Sequence, residues 1–239
     1  MLQARQSPIV FTPGALVLPA LPQAVRFRHW AAAGNPISGW QAAVKRGLDI
    51  AIALLTLTLF AVPLLLAAIA IKLDSPGPVL FRQHRIGLHN GGFELWKLRT
   101  MYHRPPDRGP LRQATRNDPR VTRVGAWLRR VSLDEFPQFV QVLRGDMSLV
   151  GPRPHAPGTC AGGVPFEQLS DRYAQRHRVR PGMTGLAQVR GWRGETDTPD
   201  KLLHRLDSDL EYIATWSLRL DILVLVRTAA CVLSMRNAW

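Results

Sequence analysis

A long apolar run interrupted by a proline is the feature that most constrains this chain. Between Ile50 and Ile71 no side chain is charged and most are apolar. At about 1.5 Å per helical residue, such a run is long enough to cross a hydrocarbon core of about 30 Å. Pro63 lies within the run, where its missing N–H and its ring force a kink. The run therefore predicts a membrane-associated helix that bends at Pro63.

Three arrangements of this helix are compatible with the residues. One is a single span across the bilayer. Basic residues flank both ends, with Lys45 and Arg46 before the run and Lys72 after it, and basic residues prefer the cytoplasmic side. A hairpin-like helix that bends and returns keeps both flanks on that side, and the residues alone leave it on equal terms with the span. A buried core helix is the third arrangement, although an apolar run of this length is unusual inside so small a domain.

The charge of the chain indicates an anionic partner. Its 239 residues include 31 Lys and Arg against 17 Asp and Glu, a formal net charge of +14. Nucleic acid, anionic lipid and phosphorylated substrates would all suit such a surplus. The basic residues are mixed with Gly/Pro-rich loops and follow no nucleic-acid-binding module, so we predict no nucleic-acid partner. Cys160 and Cys231 lie far apart, which argues against a disulfide framework or a zinc site.

The middle of the chain carries a hairpin signature. Segments 79–86 and 93–101 read as strands around a His-Asn-Gly-Gly turn, which predicts a β-hairpin. Lys97 and Arg99 are two residues apart on the second strand, so they point the same way. A polar loop is predicted over 103–119.

Helical spacing dominates the remainder. Apolar residues recur every three to four positions over 120–131 and again over 134–145, where Gly145 suits a helix end. The segment 201–235 alternates charged and apolar faces and carries aromatic residues. It predicts either helices lying in a membrane interface or ordinary surface helices.

Two adjacent acids, Asp134 and Glu135, stand out in so basic a chain. Ser132 and Glu135 fit a helix capping box, so the pair could simply start a helix. With Asp134 as the cap instead, Pro137 falls in the first turn, where a missing N–H costs little. Capping explains one acid, whereas an active site explains both. A carboxylate can attack a phosphoryl group, and its neighbour can hold Mg²⁺, which prefers carboxylate and phosphate oxygens. The residues alone leave both interpretations open.

Several long blocks of the sequence resemble the bacterial sugar transferase family, the monotopic polyprenyl-phosphate phosphoglycosyl transferases. The resemblance extends from about Lys45 to Val226 and is carried by motifs that follow one another in the family's order. These are KRGLDI, LDSPGPVLFRQHRIG, FELWKLRTM, DPRVTRVGAWLRRVSLDEFPQFVQVLRGDMSLVGPRP and RVRPGMTGLAQVRGWRGETDT.

The resemblance implies a fold and an organisation. The fold would be mainly α with a small β-hairpin, in a monotopic membrane protein with a Pro-broken re-entrant helix and interfacial amphipathic helices. Residues 1–40 would be a Pro-rich flexible extension, 41–75 the re-entrant membrane helix, and 76–239 a cytoplasmic catalytic domain with interfacial C-terminal helices. Relatives of this branch commonly carry an N-terminal multi-span domain, so the chain is expected to be the catalytic module alone. Its expected location is the cytoplasmic face of the bacterial inner membrane.

The resemblance also implies a reaction. Asp134 matches the family's nucleophile and Glu135 its partner acid, and the two would bind Mg²⁺. A sugar 1-phosphate would pass from a UDP-sugar to undecaprenyl phosphate through a covalent aspartyl-phosphosugar, with release of UMP, to start exopolysaccharide or glycan assembly. Phosphate-binding roles are implied for a set of basic residues: Lys97, Arg99, Arg129, Arg153 and Arg193.

The sugar is the least determined part of the prediction. The motif GWRGETDT, residues 191–198, resembles the branch that often transfers glucose 1-phosphate, although Trp192 precedes Arg193 where some relatives have the arginine earlier. Galactose 1-phosphate and N-acetylhexosamine 1-phosphate are the alternatives. Two other possibilities are a non-catalytic, basic membrane-anchored binding protein and an inactive or partner-dependent member of the family. Inner-membrane lipid is a predicted partner, and a homodimer is left open.

Overall fold

A computed structural model describes residues 37–103, 115 and 118–233 of the chain. Nearly all of the predicted extension at 1–40, and most of the loop predicted at 103–119, lie outside the described residues. Within them the fold is mainly helical with small sheets, which confirms that part of the predicted fold class.

The apolar run forms two helices that meet at a bend. Helix α1 covers Gly39–Leu59 and helix α2 covers Ala61–Asp74, and their axes differ by 61°. The break falls at Phe60, three residues before Pro63. Pro63 cannot donate to the carbonyl of Leu59, and its ring clashes with that carbonyl, so the chain bends just before it. No single helix in the described part of the chain is long and apolar enough to cross a membrane, but α1 and α2 together meet that test as a bent pair.

The predicted hairpin is confirmed. Strands β1 (Leu80–Ile86) and β2 (Gly92–Leu98) pair antiparallel, with Phe81 opposite Lys97 and Arg85 opposite Phe93. Because directly opposite residues of a pair project from the same face of a sheet, Arg85 and Lys97 share one face of the hairpin.

A small core joins the bent helix to the region that follows the hairpin. Helix α3 covers Arg123–Arg130, helix α4 covers Gln138–Arg144, and a 3₁₀ turn at Leu133–Glu135 lies between them. The core cluster draws on α2, β2, α3 and this turn, and its buried members are Ala67, Ile71, Leu98, Leu128 and Leu133. The turn that carries the acid pair is therefore packed against α2 through Leu133.

The remaining elements cover the other side of the α3–α4 region. Strand β3 (Ser148–Val150) pairs in parallel with β6 (Gly182–Thr184), and the short strands β4 (Cys160–Ala161) and β5 (Val164–Pro165) pair antiparallel. Three further helices complete the fold: α5 at Leu186–Val189, α6 at Pro199–Thr215 and α7 at Leu218–Leu233.

The two C-terminal helices differ in their surroundings. Helix α6 packs into the fold through a buried face that includes Leu206 and Tyr212, as an ordinary helix of a folded domain does. Helix α7 exposes apolar side chains instead, with Ile222 54% and Val226 61% exposed. The apolar surface expected of an interfacial helix is therefore seen on α7.

A buried ion pair ties α1 to α7. The ammonium of Lys45 lies 2.6 Å from a carboxylate oxygen of Asp221 and also donates to the carbonyl of Val150 at 3.2 Å. The hydroxyl of Tyr212, which has one proton to donate, lies 2.8 Å from a carboxylate oxygen of Asp221 and 3.1 Å from the same carbonyl. This network holds the end of β3, from which the Gly151–Pro154 segment departs.

Candidate active site

The acid pair lies in a turn of its own, one turn before helix α4. Ser132 adopts a left-handed conformation with φ 57°, which ends α3 and starts the 3₁₀ turn that holds Asp134 and Glu135. Ser132 makes no side-chain capping bond, and α4 is capped at Pro137 instead. The alternative in which Asp134 caps this helix does not hold either, because the cap is Pro137, and Phe136, with φ −60° and ψ −32°, already has helical dihedral angles. Helix capping therefore does not account for either acid.

Glu135 is held by two cations. Its Oε1 accepts from the ammonium of Lys97 at 2.7 Å, and the guanidinium of Arg153 donates to both of its oxygens, Nη1 to Oε2 at 3.2 Å. Arg153 is itself fixed by donation to the carbonyl of Met183 at 3.0 Å. Burial raises the pKa of Glu135, but the positive charges of Arg153 and Lys97 outweigh burial and hold that pKa well below its usual range. Glu135 is therefore ionised at neutral pH.

Asp134 is in the opposite situation. It is only 7% exposed, and its nearest cation, the ammonium of Lys97, is 4.0 Å away. No hydrogen bond to its carboxylate is found among the described residues. Burial raises the pKa of Asp134 to about 6, helped by the charge of Glu135, and nearby cations offset only part of this effect. Asp134 is thus a poorly solvated carboxylate that is still mostly ionised at neutral pH, as a nucleophile requires.

Arg129 completes the charged cluster. Its Nε donates to the hydroxyl of Thr100 at 2.9 Å, which places the guanidinium near the end of α3. Its positive charge acts on Asp134 and lowers the pKa of that acid. The structure therefore brings four of the predicted residues together around Asp134, namely Glu135, Lys97, Arg129 and Arg153.

Two predicted residues have different surroundings. Arg99 follows the end of β2, and its buried guanidinium binds the end of α2, donating to the Ser75 hydroxyl at 2.9 Å and the Pro76 carbonyl at 2.7 Å. Arg193 is exposed, and in the described part of the chain we find no ion pair or hydrogen bond to it. Its neighbour Trp192 stacks on His204, with ring centroids 4.5 Å apart. Phosphate binding by Arg99 and Arg193 stays a prediction.

Two residues that the sequence analysis missed lie beside Glu135. A polar cavity of about 20 Å³ is lined by Arg85 and Gln138 together with Lys97 and Arg153. The hairpin register already places Arg85 on the same face as Lys97, so strand alternation was the signal for Arg85. Gln138 is the first residue of α4, and its burial depends on packing that no local pattern reports.

An apolar groove reaches the residue that precedes the acid pair. It has a volume of about 560 Å³ and lies between α2 and α3, with Pro63, Leu66 and Trp127 in its walls and Arg123 at its polar edge. Leu133, the residue before Asp134, also lines it. The acid pair is therefore close to both a cationic cavity and an apolar groove.

The donor set is compatible with a substrate-bridging metal ion. Among the described residues, no group of three or more His, Cys, Asp or Glu could hold a metal by itself. Mg²⁺ is commonly bound by one or two carboxylates and completed by substrate phosphates and water. The buried carboxylate of Asp134, which accepts no hydrogen bond in this part of the fold, and the adjacent Glu135 fit that role.

Comparison with known proteins identifies similar sequences over most of the chain. Residues 40–235 match the family model described as bacterial sugar transferase. The chain is 50% identical, over 86% of its length, to an undecaprenyl-phosphate glucose phosphotransferase of Komagataeibacter xylinus, but spans only 38% of that protein. UDP-glucose:undecaprenyl-phosphate glucose-1-phosphate transferases are similar too. The one from Escherichia coli is 50% identical over 81% of this chain and 41% of its own length. The one from Caulobacter vibrioides is 53% identical over 82% of this chain and 72% of its own length.

Proposed function

The chain belongs to the bacterial sugar transferase family, and we propose that it transfers glucose 1-phosphate from UDP-glucose to undecaprenyl phosphate. The observation that carries the proposal is the difference between the surroundings of the two acids. Cations neutralise Glu135, whereas Asp134 is buried and poorly solvated. The names of its relatives support the two substrates.

In the first step, an oxygen of the Asp134 carboxylate attacks the β-phosphorus of the UDP-sugar. A new P–O bond forms to Asp134, the bond between this phosphorus and the bridging oxygen breaks, and UMP leaves with that oxygen. Lys97, Arg129 and Arg153 surround the acid and offset the negative charge of the diphosphate. Because these cations bind Glu135 or other fixed groups, they are already oriented before the substrate arrives.

In the second step, a phosphate oxygen of undecaprenyl phosphate attacks the same phosphorus, and the Asp134 carboxylate is released. The products are the lipid-linked diphosphosugar and the free enzyme. The apolar groove beside Leu133 supports a polyprenyl acceptor, because it can shelter apolar chain while the phosphate end reaches the acid pair. When bound by Asp134 and Glu135, Mg²⁺ would supply further neutralisation of phosphate charge.

We also propose that α1 and α2 form a re-entrant membrane helix at the cytoplasmic face of the inner membrane. Both ends of the bent pair attach to the same region of the fold, which supports return to one side. Near the start, Arg46 donates to the carbonyls of Val142 and Leu143 at the end of α4. At the other end, Arg99 binds Ser75. The bent pair presents a band of exposed apolar side chains of the kind that lipid covers: Leu54, Leu55, Leu59, Val62, Leu65, Leu66 and Leu73.

The reaction is tested by UMP release from UDP-glucose, measured on the detergent-purified full chain with and without undecaprenyl phosphate. We expect turnover only with the lipid, and no UMP release by Asp134→Asn. Asp171→Asn is the matched control, because this exposed aspartate lies outside the cluster. Incubation of the wild type with UDP-glucose alone should add one sugar phosphate to the intact protein mass, and Asp134→Asn should lack it. Full activity in Asp134→Asn would refute the mechanism, and activity only with another UDP-sugar would refute glucose.

The re-entrant arrangement is tested with single cysteines at Gln41 and Lys72 in a chain without Cys160 and Cys231. Both positions are exposed and flank the bent pair. A membrane-impermeant maleimide should label both in inverted inner-membrane vesicles and neither in intact spheroplasts. Labelling of the two cysteines from opposite sides would indicate a span instead.

A further inference from the structure

The polar cavity beside Glu135 contains two N–H groups without partners. Among the described residues, neither Nε of Arg85 nor Nε2 of Gln138 has a hydrogen-bond partner, and both atoms are buried. Gln138 as a whole is only 1% exposed. Buried donors are nearly always satisfied in folded proteins, so unpaired donors on two residues that line the same cavity point to an absent acceptor.

The rest of the Arg85 guanidinium is already fixed. Its Nη2 donates to the side chain of Gln83 at 2.6 Å, and its Nη1 donates to the carbonyl of Pro154 at 3.3 Å. These two bonds orient the side chain and leave the Nε–H for another acceptor. The cavity volume of about 20 Å³ admits one water-sized group, such as a single phosphate oxygen.

The charges around the cavity favour an anion. Three cationic residues line it: Arg85, Lys97 and Arg153. Lys97 and Arg153 form ion pairs with the carboxylate of Glu135. Burial, together with the neighbouring charge of Arg153, lowers the pKa of Arg85 to about 10, as expected where positive charge is in excess. A dianion would neutralise the two charges that Glu135 leaves unmatched.

We propose that this cavity is a phosphate-monoester subsite in which Arg85 Nε–H and Gln138 Nε2–H donate to an oxygen of the bound phosphate. The proposal rests on the proposed function and deepens it, because that reaction involves two phosphate monoesters. One is UMP, which leaves in the first step, and the other is undecaprenyl phosphate, which enters in the second. Both present the same dianionic group to the cavity.

The hairpin offers a matched control for Arg85. Arg82 lies on the same strand but on the opposite face, where it pairs across the strands with Trp96. Its guanidinium carbon is 5.3 Å from the centre of the Trp96 ring, and its Nη1 is 3.7 Å from a carboxylate oxygen of Glu94. Replacing Arg82 removes the same charge from the same strand without touching the cavity.

The test measures binding of inorganic phosphate, UMP and geranyl phosphate to the detergent-purified full chain by calorimetry. The variants are Arg85→Gln, Gln138→Met and Arg82→Gln, each checked for folding by thermal unfolding. We expect Arg85→Gln to weaken phosphate binding about tenfold or more, since a charge-assisted hydrogen bond is lost. Gln138→Met should weaken it severalfold, and Arg82→Gln should change it less than twofold. If Arg85→Gln and Gln138→Met weaken the binding of UMP to the same extent as that of phosphate, the subsite belongs to the nucleotide. If they weaken the binding of geranyl phosphate in this way, it belongs to the lipid.

Wild-type affinity for all three probes in folded Arg85→Gln and Gln138→Met would overturn the proposal, as would an absence of phosphate binding to the wild type. If Arg85→Gln does not fold, Gln138→Met decides the matter, because it nearly keeps the side-chain volume and removes the amide that carries the donor. Failure of the proposed function gives a different pattern. Phosphate binding that depends on Arg85, in a protein that releases no UMP from any UDP-sugar, would retain the subsite and refute the transferase.

Discussion

Replacing Asp134 by Asn should make the protein more stable at neutral pH while abolishing its reaction. Burial raises the pKa of Asp134 from 3.8 to about 6. A carboxyl whose pKa is raised by folding binds its proton more tightly in the folded state, so its ionisation destabilises the fold as the pH rises through that window. A shift of about 2 units corresponds to about 3 kcal/mol, at about 1.4 kcal/mol per unit.

The neutral amide of Asn cannot ionise, so the variant keeps the stability that wild type loses. We expect an advantage of about 3 kcal/mol at pH 7.5, which is about 6–12 °C in the unfolding midpoint for a domain of this size. The advantage should shrink to about 1 kcal/mol at pH 4.5, because Asp134 is then protonated in the folded state and only partly ionised in the unfolded chain.

The assay is thermal unfolding in detergent, followed by tryptophan fluorescence at the two pH values. Asp171→Asn serves as the control, and we expect a change within about 0.5 kcal/mol at both, because Asp171 is exposed. An Asp134→Asn variant no more stable than wild type at pH 7.5 would refute the reasoning. So would an advantage of the same size at both pH values, since it would not come from ionisation of this carboxyl.

Three further predictions follow from the same geometry. The kcat/KM for UMP release should rise with pH through about 6 and then level off, because Asp134 must be ionised to attack; a flat profile between pH 5 and 7 would contradict this. Glu135→Gln should abolish activity. Unlike the change at Asp134, it should also lower the free energy of unfolding by about 1–3 kcal/mol, because Lys97 and Arg153 lose the carboxylate that pairs with them. The unfolding midpoints of the two variants should therefore move in opposite directions. Lys45→Met should cost about 3–5 kcal/mol by leaving Asp221 buried without its ion-pair partner, and Lys45→Met with Asp221→Leu should recover part of that loss in the same unfolding assay.

Local patterns predicted the elements that carry the site. The proline in the apolar run predicts a bend because its missing donor acts on the preceding turn, and the break at Phe60 lies there. The turn residues and alternation of the hairpin predict its two strands and put Lys97 on the same face as Phe81 and Arg85. In each case the cause lies within a few residues of its effect, so one stretch of sequence contains it.

Packing between distant segments decided the roles of other residues. Alternation treats Lys97 and Arg99 as equivalent. Arg99 instead meets the end of α2, more than twenty residues away in sequence, where both of its terminal nitrogens donate hydrogen bonds. Arg85 and Gln138 both lie within the quoted family motifs, but apart from the alternation that puts Arg85 on the face of Lys97, no local feature marks either of them as a site residue. They become noticeable only when the hairpin and α4 enclose the same cavity.

The acid pair depends both on local sequence and on packing between distant segments. The sequence by itself determined that two carboxylates stand side by side among arginines, next to a helix suited to a membrane. Only the tertiary structure decided that two cations bind Glu135 directly, while Asp134 is buried and the same cations compensate only part of its burial. The two acids are chemically similar and adjacent, so their difference in pKa arises from desolvation and from charges brought by other elements, and neither is encoded locally.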